Sequence, residues 1–254
     1  MHIVITGASS GIGASYARAF ARQGHHLTLV ARRADLLQAL ASELGTKTHV
    51  VVKDLGDLPT CADFLEGAEQ ALGPVDVLVN NAGVQIVAPA DRVDVAQGEN
   101  LLDVDLKAPL RLTRAVLPGM IARKSGTIVD VASMAALAPT PGMLYYNAAK
   151  AGLAAASEAL RGELRGTGVH VVTVYPGIIA STAMAKSALE TYGASKWTGR
   201  MPTGTEEELA RRTLFAIEKR AARVIYPSSG KLARWFPGTT RWFMDRMTPK
   251  LAAA

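Results

Sequence analysis

The sequence predicts an α/β protein, one domain built on a doubly wound parallel sheet of about seven strands. Short apolar runs alternate with helical stretches along almost the whole chain, with no internal repeat, low-complexity linker or break in composition. A glycine-rich run, Thr6-Gly7-Ala8-Ser9-Ser10-Gly11-Ile12-Gly13, lies between the first apolar run and the first helical one. A hydrophobic content of 49% with only 6% aromatics suits buried parallel strands covered by alanine-rich helices. At 254 residues the chain can bury one large core in a single domain.

Taken in order, the apolar runs place strands at 2–6, 26–31, 48–53, 76–80, 126–132, 169–175 and 223–226, with a helix over 12–23 after the glycine run and further helices bridging the rest. Residues 93–124 read as one long helix, disturbed at Pro109, where a backbone N–H is missing, and closed at Pro118-Gly119 or soon after. Residues 180–204, punctuated by Gly193, Gly199, Pro202 and Gly204, read as a mobile lid.

Tyr146 and Lys150 stand four residues apart, which on a helix puts both on one face, one turn apart. A free phenol titrates near about 10, and a fixed positive charge beside it favours the phenolate. A tyrosine placed this way can exchange a proton as general acid or base. Ser133, at the end of the fifth strand, is placed to hold a substrate oxygen for it. The glycine run has the context of a dinucleotide-binding turn: glycine permits the tight turn and close approach of a pyrophosphate, whose charge the helix N-terminus meets. For the glycines alone, a plain strand-to-helix turn is the alternative. At the end of the second strand, where an acidic residue would accept from the ribose of NAD, the chain has Ala31 followed by Arg32 and Arg33. A guanidinium fork suits the 2′-phosphate of NADP, with Arg32 the first candidate and Arg33 the second, against the alternative of two solvated arginines opening a helix.

With these residues in place, the chain resembles the classical branch of the short-chain dehydrogenase/reductase family over nearly all of its length up to about Pro227. Thr6 to Gly13 match the family's glycine loop, Asn80-Asn81-Ala82-Gly83 its Asn-Asn-Ala-Gly signature, Ser133, Tyr146 and Lys150 its catalytic residues, and Pro176-Gly177 its Pro-Gly motif. The resemblance implies a Rossmann-like sheet of strand order 3-2-1-4-5-6-7 with ligands at the carboxyl ends of the strands. It implies an NADP-dependent oxidoreductase that interconverts a ketone or aldehyde and an alcohol on a hydrophobic substrate. Tyr146 would exchange the proton, Ser133 polarise the oxygen, and Lys150 lower the tyrosine pKa and hold the nicotinamide ribose. The NADP(H) surface it implies comprises Gly7, Ser9, Ser10, Gly11, Ile12, Gly13, Arg32, Arg33, Asp54, Leu55, Asn81, Ala82, Gly83, Tyr146, Lys150, Pro176, Gly177, Ile179 and Ser181. The competing reading keeps the fold as an NADP-binding sensor or scaffold with weak catalysis.

Two positions depart from the family pattern. Where many members complete a catalytic tetrad with an asparagine that holds a water leading to the lysine, this chain has Asp105. A carboxylate accepts but does not donate as an amide does, so Asp105 is expected to accept from that water, favour the Lys150 ammonium and disfavour the Tyr146 phenolate. Ser181 stands where the family usually has threonine, with Thr182 next, and either hydroxyl is placed to bind a carboxamide or a phosphate. Met134, Leu137, Met143, Leu144, Tyr145, Ile178, Ile179, Met184 and Leu189 supply an apolar substrate pocket, as far as they face inward rather than into the core.

Residues 1–227 read as the NADP-binding catalytic part and 228–254 as an aromatic and basic extension of the same domain. Residues 196–254 carry 12 Lys/Arg against 5 Asp/Glu, while 1–195 carry 16 against 17, so the net charge of +6 is a local property. In the extension Trp235, Phe236, Trp242, Phe243 and Met244 lie among Lys231, Arg234, Arg241, Arg246 and Lys250. The favoured reading packs these aromatics over the substrate site or against a neighbouring subunit, and contact with an anionic membrane surface is the lesser one. A basic stripe without a recognition motif gives no nucleic-acid role. No Cys/His spacing suits a metal, and the lone Cys61 reads as a helix-face residue. The first residues already belong to strand and loop, which leaves no targeting leader, and no run reaches the roughly twenty apolar residues of a membrane span. The expectation is a cytoplasmic homo-oligomer acting on a small-molecule carbonyl or alcohol.

Overall fold

Successive side chains of β1 (His2–Thr6) point to opposite faces of the sheet, and every residue of the strand is buried. A strand buried on both sides needs helices on both sides. In the computed structural model, which describes residues 1–192 and 202–247, β1 leads into α1 (Gly11–Arg22), β2 (His26–Ala31), α2 (Ala34–Leu44), β3 (Thr48–Val52), α3 (Phe64–Leu72) and β4 (Val77–Asn80). Then come α4 (Val95–Leu102), α5 (Ala108–Ala122), β5 (Gly126–Val131), α6 (Leu144–Glu163) and β6 (Val169–Pro176). Two short strands, β7 (Ile178–Ile179) and β8 (Thr203–Gly204), bracket α7 (Ala183–Tyr192), and the chain continues through α8 (Glu206–Glu218), β9 (Arg223–Tyr226), α9 (Lys231–Trp235) and α10 (Pro237–Met247).

Seven strands form one parallel sheet in the order β3-β2-β1-β4-β5-β6-β9, the order the resemblance implies, with β9 as the seventh strand. Ile3 and Ile5 face the side covered by α1, α2 and α8, where Tyr16, Phe20, Leu37 and Leu209 are buried. Val4 faces the other side, against Leu112, Val116 and Met120 of α5 and Leu65 of α3. The chain departs from β1 first toward β2 and β3, then returns to the other side of β1 as β4. Such a reversal opens a crevice at the carboxyl ends of β1 and β4. The two-stranded pairing of β7 with β8 was not foreseen from the sequence. Cys61 is buried in the turn before α3, not on a helix face as expected.

The long helix expected over 93–124 is divided. Between α4 and α5 lies a π-helical turn, Asp103–Lys107, in which the N–H of Ala108 reaches back five residues to the carbonyl of Asp103. Pro109 supplies the cause: it has no N–H to give the carbonyl of Asp105, so the turn widens. Pro118, by contrast, is carried inside α5, which runs on to Ala122.

A single carboxylate ties the C-terminal segment to the body. Glu158 of α6 accepts from Arg223 of β9 at 2.7 and 2.8 Å, from Arg234 of α9 at 2.9 and 3.3 Å, and from the Tyr175 hydroxyl of β6 at 2.7 Å. The Arg223 hydrogen bonds lead the effects that hold this carboxyl down at about 2. A folded-state pKa below the unfolded one adds stability above the unfolded value, and this contribution is lost as pH falls toward the folded value. Replacing Glu158 with Gln should therefore cost ~2 kcal/mol at neutral pH, read from urea unfolding with an unchanged slope. The gap between the two proteins should narrow as pH drops from 4.5 toward 2, the window between the ordinary and the held value. A gap that stays constant down to pH 3 would show that the charge contributes nothing.

Candidate active site

The glycine turn forms where β1 ends. Gly7 has φ +67°, a conformation L side chains avoid, and a Cβ on Gly13 would collide with the Gly7 carbonyl oxygen. Thr6 fastens the turn to the strand across the crevice. Its hydroxyl donates to the Val79 carbonyl at 3.2 Å and accepts from the backbone N–H groups of Asn81 and Ala82 at 2.9 and 3.0 Å, while the Asn81 amide donates to the Thr6 carbonyl at 2.9 Å. The Asn-Asn-Ala-Gly segment and the glycine loop are thus one structure across the crevice.

A cavity of about 920 Å³ runs along this edge of the sheet. Gly7, Ser9, Ser10, Gly11, Ile12, Gly13, Arg32, Arg33, Asp54, Leu55, Asn81, Ala82, Gly83, Ser133, Tyr146, Lys150, Pro176, Gly177, Ile179 and Ser181 all line it. The two arginines differ in aim. Arg33 donates to the Ser9 hydroxyl at 2.8 Å and the Ser10 hydroxyl at 2.6 Å, above the glycine loop, whereas Arg32 turns to Asp54 at 3.8 Å. The ranking from sequence had put Arg32 first. Ser181 donates to the Glu206 carboxylate, and Thr182 caps the start of α7 by accepting from the Ala185 N–H at 3.2 Å.

At the centre of the cavity Tyr146 and Lys150 share one face of α6, with the ammonium 5.9 Å from the centre of the phenol ring. Ser133 follows β5, and its hydroxyl accepts from the Ala135 N–H at 3.0 Å. The Lys150 ammonium donates to the Val131 carbonyl at 3.1 Å. Asp105 lies outside the cavity lining, behind the lysine, and is fully buried. One of its oxygens accepts from the Val84 N–H at 2.7 Å, and the other stands 3.2 Å from the ammonium without the alignment of a hydrogen bond. Asp105 and Lys150 thus form a direct ion pair. Asp105 lies within the π turn, on its buried side together with Val104.

Burial drives the Asp105 carboxyl up, against the pull of the Lys150 charge and the Val84 N–H. Burial also works against the Lys150 ammonium, but Asp105 and then Tyr146 outweigh it and hold the lysine above its ordinary value. For Tyr146, burial is the largest effect and raises the phenol; Lys150 and the Ser133 hydroxyl pull it down, and Asp105 pushes it up. The lowered tyrosine expected from the lysine alone is therefore corrected to a raised one, because desolvation exceeds the charge effect. Asp130 of β5, which sequence reading passed over, is a second buried carboxyl nearby, accepting from the Asn80 amide at 2.8 Å and adding to the field that holds Lys150 protonated.

Met134, Met143, Ile178, Ile179, Met184 and Leu189 line the cavity as expected. Leu137, Leu144 and Tyr145 do not: Leu137 packs beside Tyr175, Leu144 is exposed, and the Tyr145 ring lies where a side chain on Gly98 of α4 would be. At the start of α6, helical phase turns Leu144 and Tyr145 away from the face that carries Met143 and Tyr146. The sequence also gave no sign of Gln85, Thr140, Tyr192 or Gly230 in the wall. Tyr192, at the end of α7, donates to the Pro141 carbonyl at 2.6 Å and so closes one side of the expected lid, whose Gly193 and Gly199 lie outside the described residues. Among the described residues of the C-terminal segment, Met244 of α10, Ser229 and Gly230 reach the cavity. Trp235, Phe236, Trp242 and Phe243 face away from the chain's own body and do not pack over the substrate site, the first of the two placements favoured from sequence, while Lys250 lies outside the described residues.

Comparison with known proteins gives a consistent result. The family model of the short chain dehydrogenases matches residues 1–193. The NADP-dependent 3-hydroxy acid dehydrogenase YdfG of Escherichia coli K12 is 35% identical over 183 residues, covering 72% of this chain and 74% of that protein. The glycine betaine reductase ATRR of Emericella nidulans is 35% identical over 227 residues, 85% of this chain, which spans only 17% of that longer protein. Among solved structures, a short-chain dehydrogenase from Sphingobium yanoikuyae in complex with NADPH superposes with a TM-score of 0.81 at 30% identity, covering 100% of this chain and 98% of that one.

The ion pair makes a prediction independent of any reaction. Substituting Asn for Asp105 removes a charge that raises the Tyr146 phenol, so the phenol should titrate at lower pH. Carbon-13 labelling of tyrosine rings with NMR detection reads this directly. An unmoved Tyr146 resonance in a folded variant would place Asp105 outside the electrostatics of the site.

Proposed function

The chain belongs to the short-chain dehydrogenase family, and from that premise we propose that it is an NADP(H)-dependent oxidoreductase interconverting a carbonyl and an alcohol on a hydrophobic small molecule. The observation that carries the reading is the convergence of Ser133, Tyr146 and Lys150 on one cavity that also contains the glycine loop and Arg33. The residues fit a phosphorylated dinucleotide. Gly7 and Gly13 leave a cradle that a Cβ would fill, and Arg33 stands over two hydroxyls at its rim, where a 2′-phosphate would find a guanidinium fork. Asp54, Leu55, Asn81, Ala82 and Gly83 continue that surface toward Lys150. Pro176, Gly177, Ile179 and Ser181 face it from the other wall.

When bound, NADPH supplies the hydride. The chain supplies the proton and the orientation. Ser133 donates to the carbonyl oxygen and so polarises the carbon, and Tyr146 gives its phenolic proton to the same oxygen as charge develops there. Burial keeps Tyr146 protonated, as a donor in the reductive direction must be, and the Lys150 ammonium stabilises the phenolate left behind. Asp105 and the Val131 carbonyl hold that ammonium in place. The apolar wall from Met134 and Met143 to Met184 and Leu189 supports a hydrophobic substrate. Residues 1–227 form the catalytic part in this reading, and 228–254 an extension of it. Residence in the cytoplasm and homo-oligomer formation are carried over from the sequence reading. The sensor or scaffold alternative is not favoured, since relatives such as YdfG are named as dehydrogenases.

NADPH should bind more tightly than NADH, and Arg33→Ala should weaken NADPH about 10- to 100-fold with little effect on NADH, measured by fluorescence titration. Equal affinities for the two cofactors in the unmodified protein would overturn the cofactor assignment. In a panel of apolar ketones and aldehydes, Tyr146→Phe should lower kcat about 10²- to 10⁴-fold while cofactor affinity stays nearly constant. A variant that keeps most of its turnover would remove Tyr146 from the chemistry.

A further inference from the structure

The C-terminal helices carry aromatic side chains that none of the described residues covers. Leu232 and Trp235 of α9, Phe236, and Trp242 and Phe243 of α10 are 63%, 74%, 59%, 55% and 49% exposed. Apolar side chains of this size add up to a patch on the order of several hundred Å², the range in which an exposed surface is functional. The patch sits on a fixed platform, because Ala233 is buried and Arg234 is held by Glu158. It also adjoins the mouth of the cavity. Met244, next to Trp242 and Phe243 in α10, lines the cavity, and Arg241 donates to the Pro139 carbonyl beside the cavity residues Ala138 and Thr140.

Charge decides what covers the patch. Residues 228–254 carry five Lys/Arg and a single acidic residue, Asp245; Arg234 is paired with Glu158 and Arg241 with Asp245, both at 2.9 Å, so the charge offered beside the aromatics comes from Lys231 and Arg246. A second copy meeting this surface about a two-fold axis would bring the same basic segment against itself. An anionic surface would neutralise it. Arg246 stacks over the Trp242 ring at 5.0 Å, so cation and aromatic are presented together, and short helices with tryptophan, phenylalanine and basic residues suit the boundary between headgroups and acyl chains.

We propose that α9 and α10 dock the protein on an anionic lipid bilayer and hold the cavity mouth against it. The part of this that concerns substrate rests on the carbonyl–alcohol reading: the compounds taken would be lipophilic carbonyls or alcohols partitioned into the bilayer, entering past Met244. The docking itself needs no substrate.

The test is co-sedimentation of the full chain with vesicles, without cofactor or substrate. Binding to vesicles containing phosphatidylglycerol should exceed binding to pure phosphatidylcholine at least tenfold, and should fall on raising salt from about 0.1 M to about 1 M as screening shortens. Trp235→Ser combined with Trp242→Ser and Phe243→Ser should lower the affinity at least tenfold. Lys231→Glu with Arg246→Glu, which leaves the aromatics in place, should abolish the preference for anionic lipid. Failure of the unmodified protein to sediment with anionic vesicles would overturn the proposal. So would a fall in oligomeric mass of the aromatic variant without any vesicle binding, which would assign the face to a second copy. Because binding is read without turnover, its failure leaves the carbonyl assays standing, and failure of those assays leaves a measured bilayer contact standing.

Discussion

A lysine ammonium is buried at the centre of this molecule, and much of the surrounding structure is arranged to compensate it. Lys150 is 4% exposed, and an uncompensated charge in that setting would shed its proton. The Val131 carbonyl at the end of β5 and the Asp105 carboxylate meet it. Each partner imposes its own condition. Asp105 is presented from the widened turn before Pro109, and the oxygen facing Lys150 leaves no space for a side chain at position 83, where a Cβ would lie 2.8 Å away. The glycine of the Asn-Asn-Ala-Gly segment is therefore required here by an ion pair, in addition to any demand of the turn. An amide at position 105 would satisfy the Val84 N–H but would leave the ammonium without its counter-charge.

The same arrangement sets the balance at the tyrosine. A buried phenol beside an ammonium and a carboxylate responds to all three surroundings, and desolvation is the largest of them. In the proposed reaction such a phenol is a donor that stays protonated until charge builds on the substrate oxygen. The carboxylate makes the lysine a more persistent cation and the phenol a more reluctant acid, two opposite contributions to one proton transfer.

Much of this was legible in the sequence, because it is written in local spacing. The strand positions, the glycine turn and the shared helix face of Tyr146 and Lys150 follow from local spacing, while the strand order and the place of Ser133 beside them came from the family resemblance that those motifs carry. The disturbance at Pro109 was legible too, but its outcome, a π turn over Asp103–Lys107 next to an ion pair of Asp105 with Lys150, depends on packing behind the helix. Arg32 and Arg33 are adjacent in sequence and point to different partners, which only the placement of Asp54, Ser9 and Ser10 decides. Leu144 and Tyr145 are apolar neighbours of a catalytic position, yet one turn of helix sends them elsewhere. The β7–β8 pair escaped notice because two residues per strand carry no periodicity. The aromatics of the C-terminal helices fail the ordinary rule that large apolar side chains find cover within their own chain.

The carboxylate of Glu158 joins residues separated by as many as 76 positions, since Arg234 closes on a helix laid down long before it. In chain order Glu158 meets the Tyr175 hydroxyl first, and its two arginine partners become available only with β9 and α9. The nascent chain thus holds every residue of its proton-transfer machinery well before it holds the outer bracing of the helix that presents them.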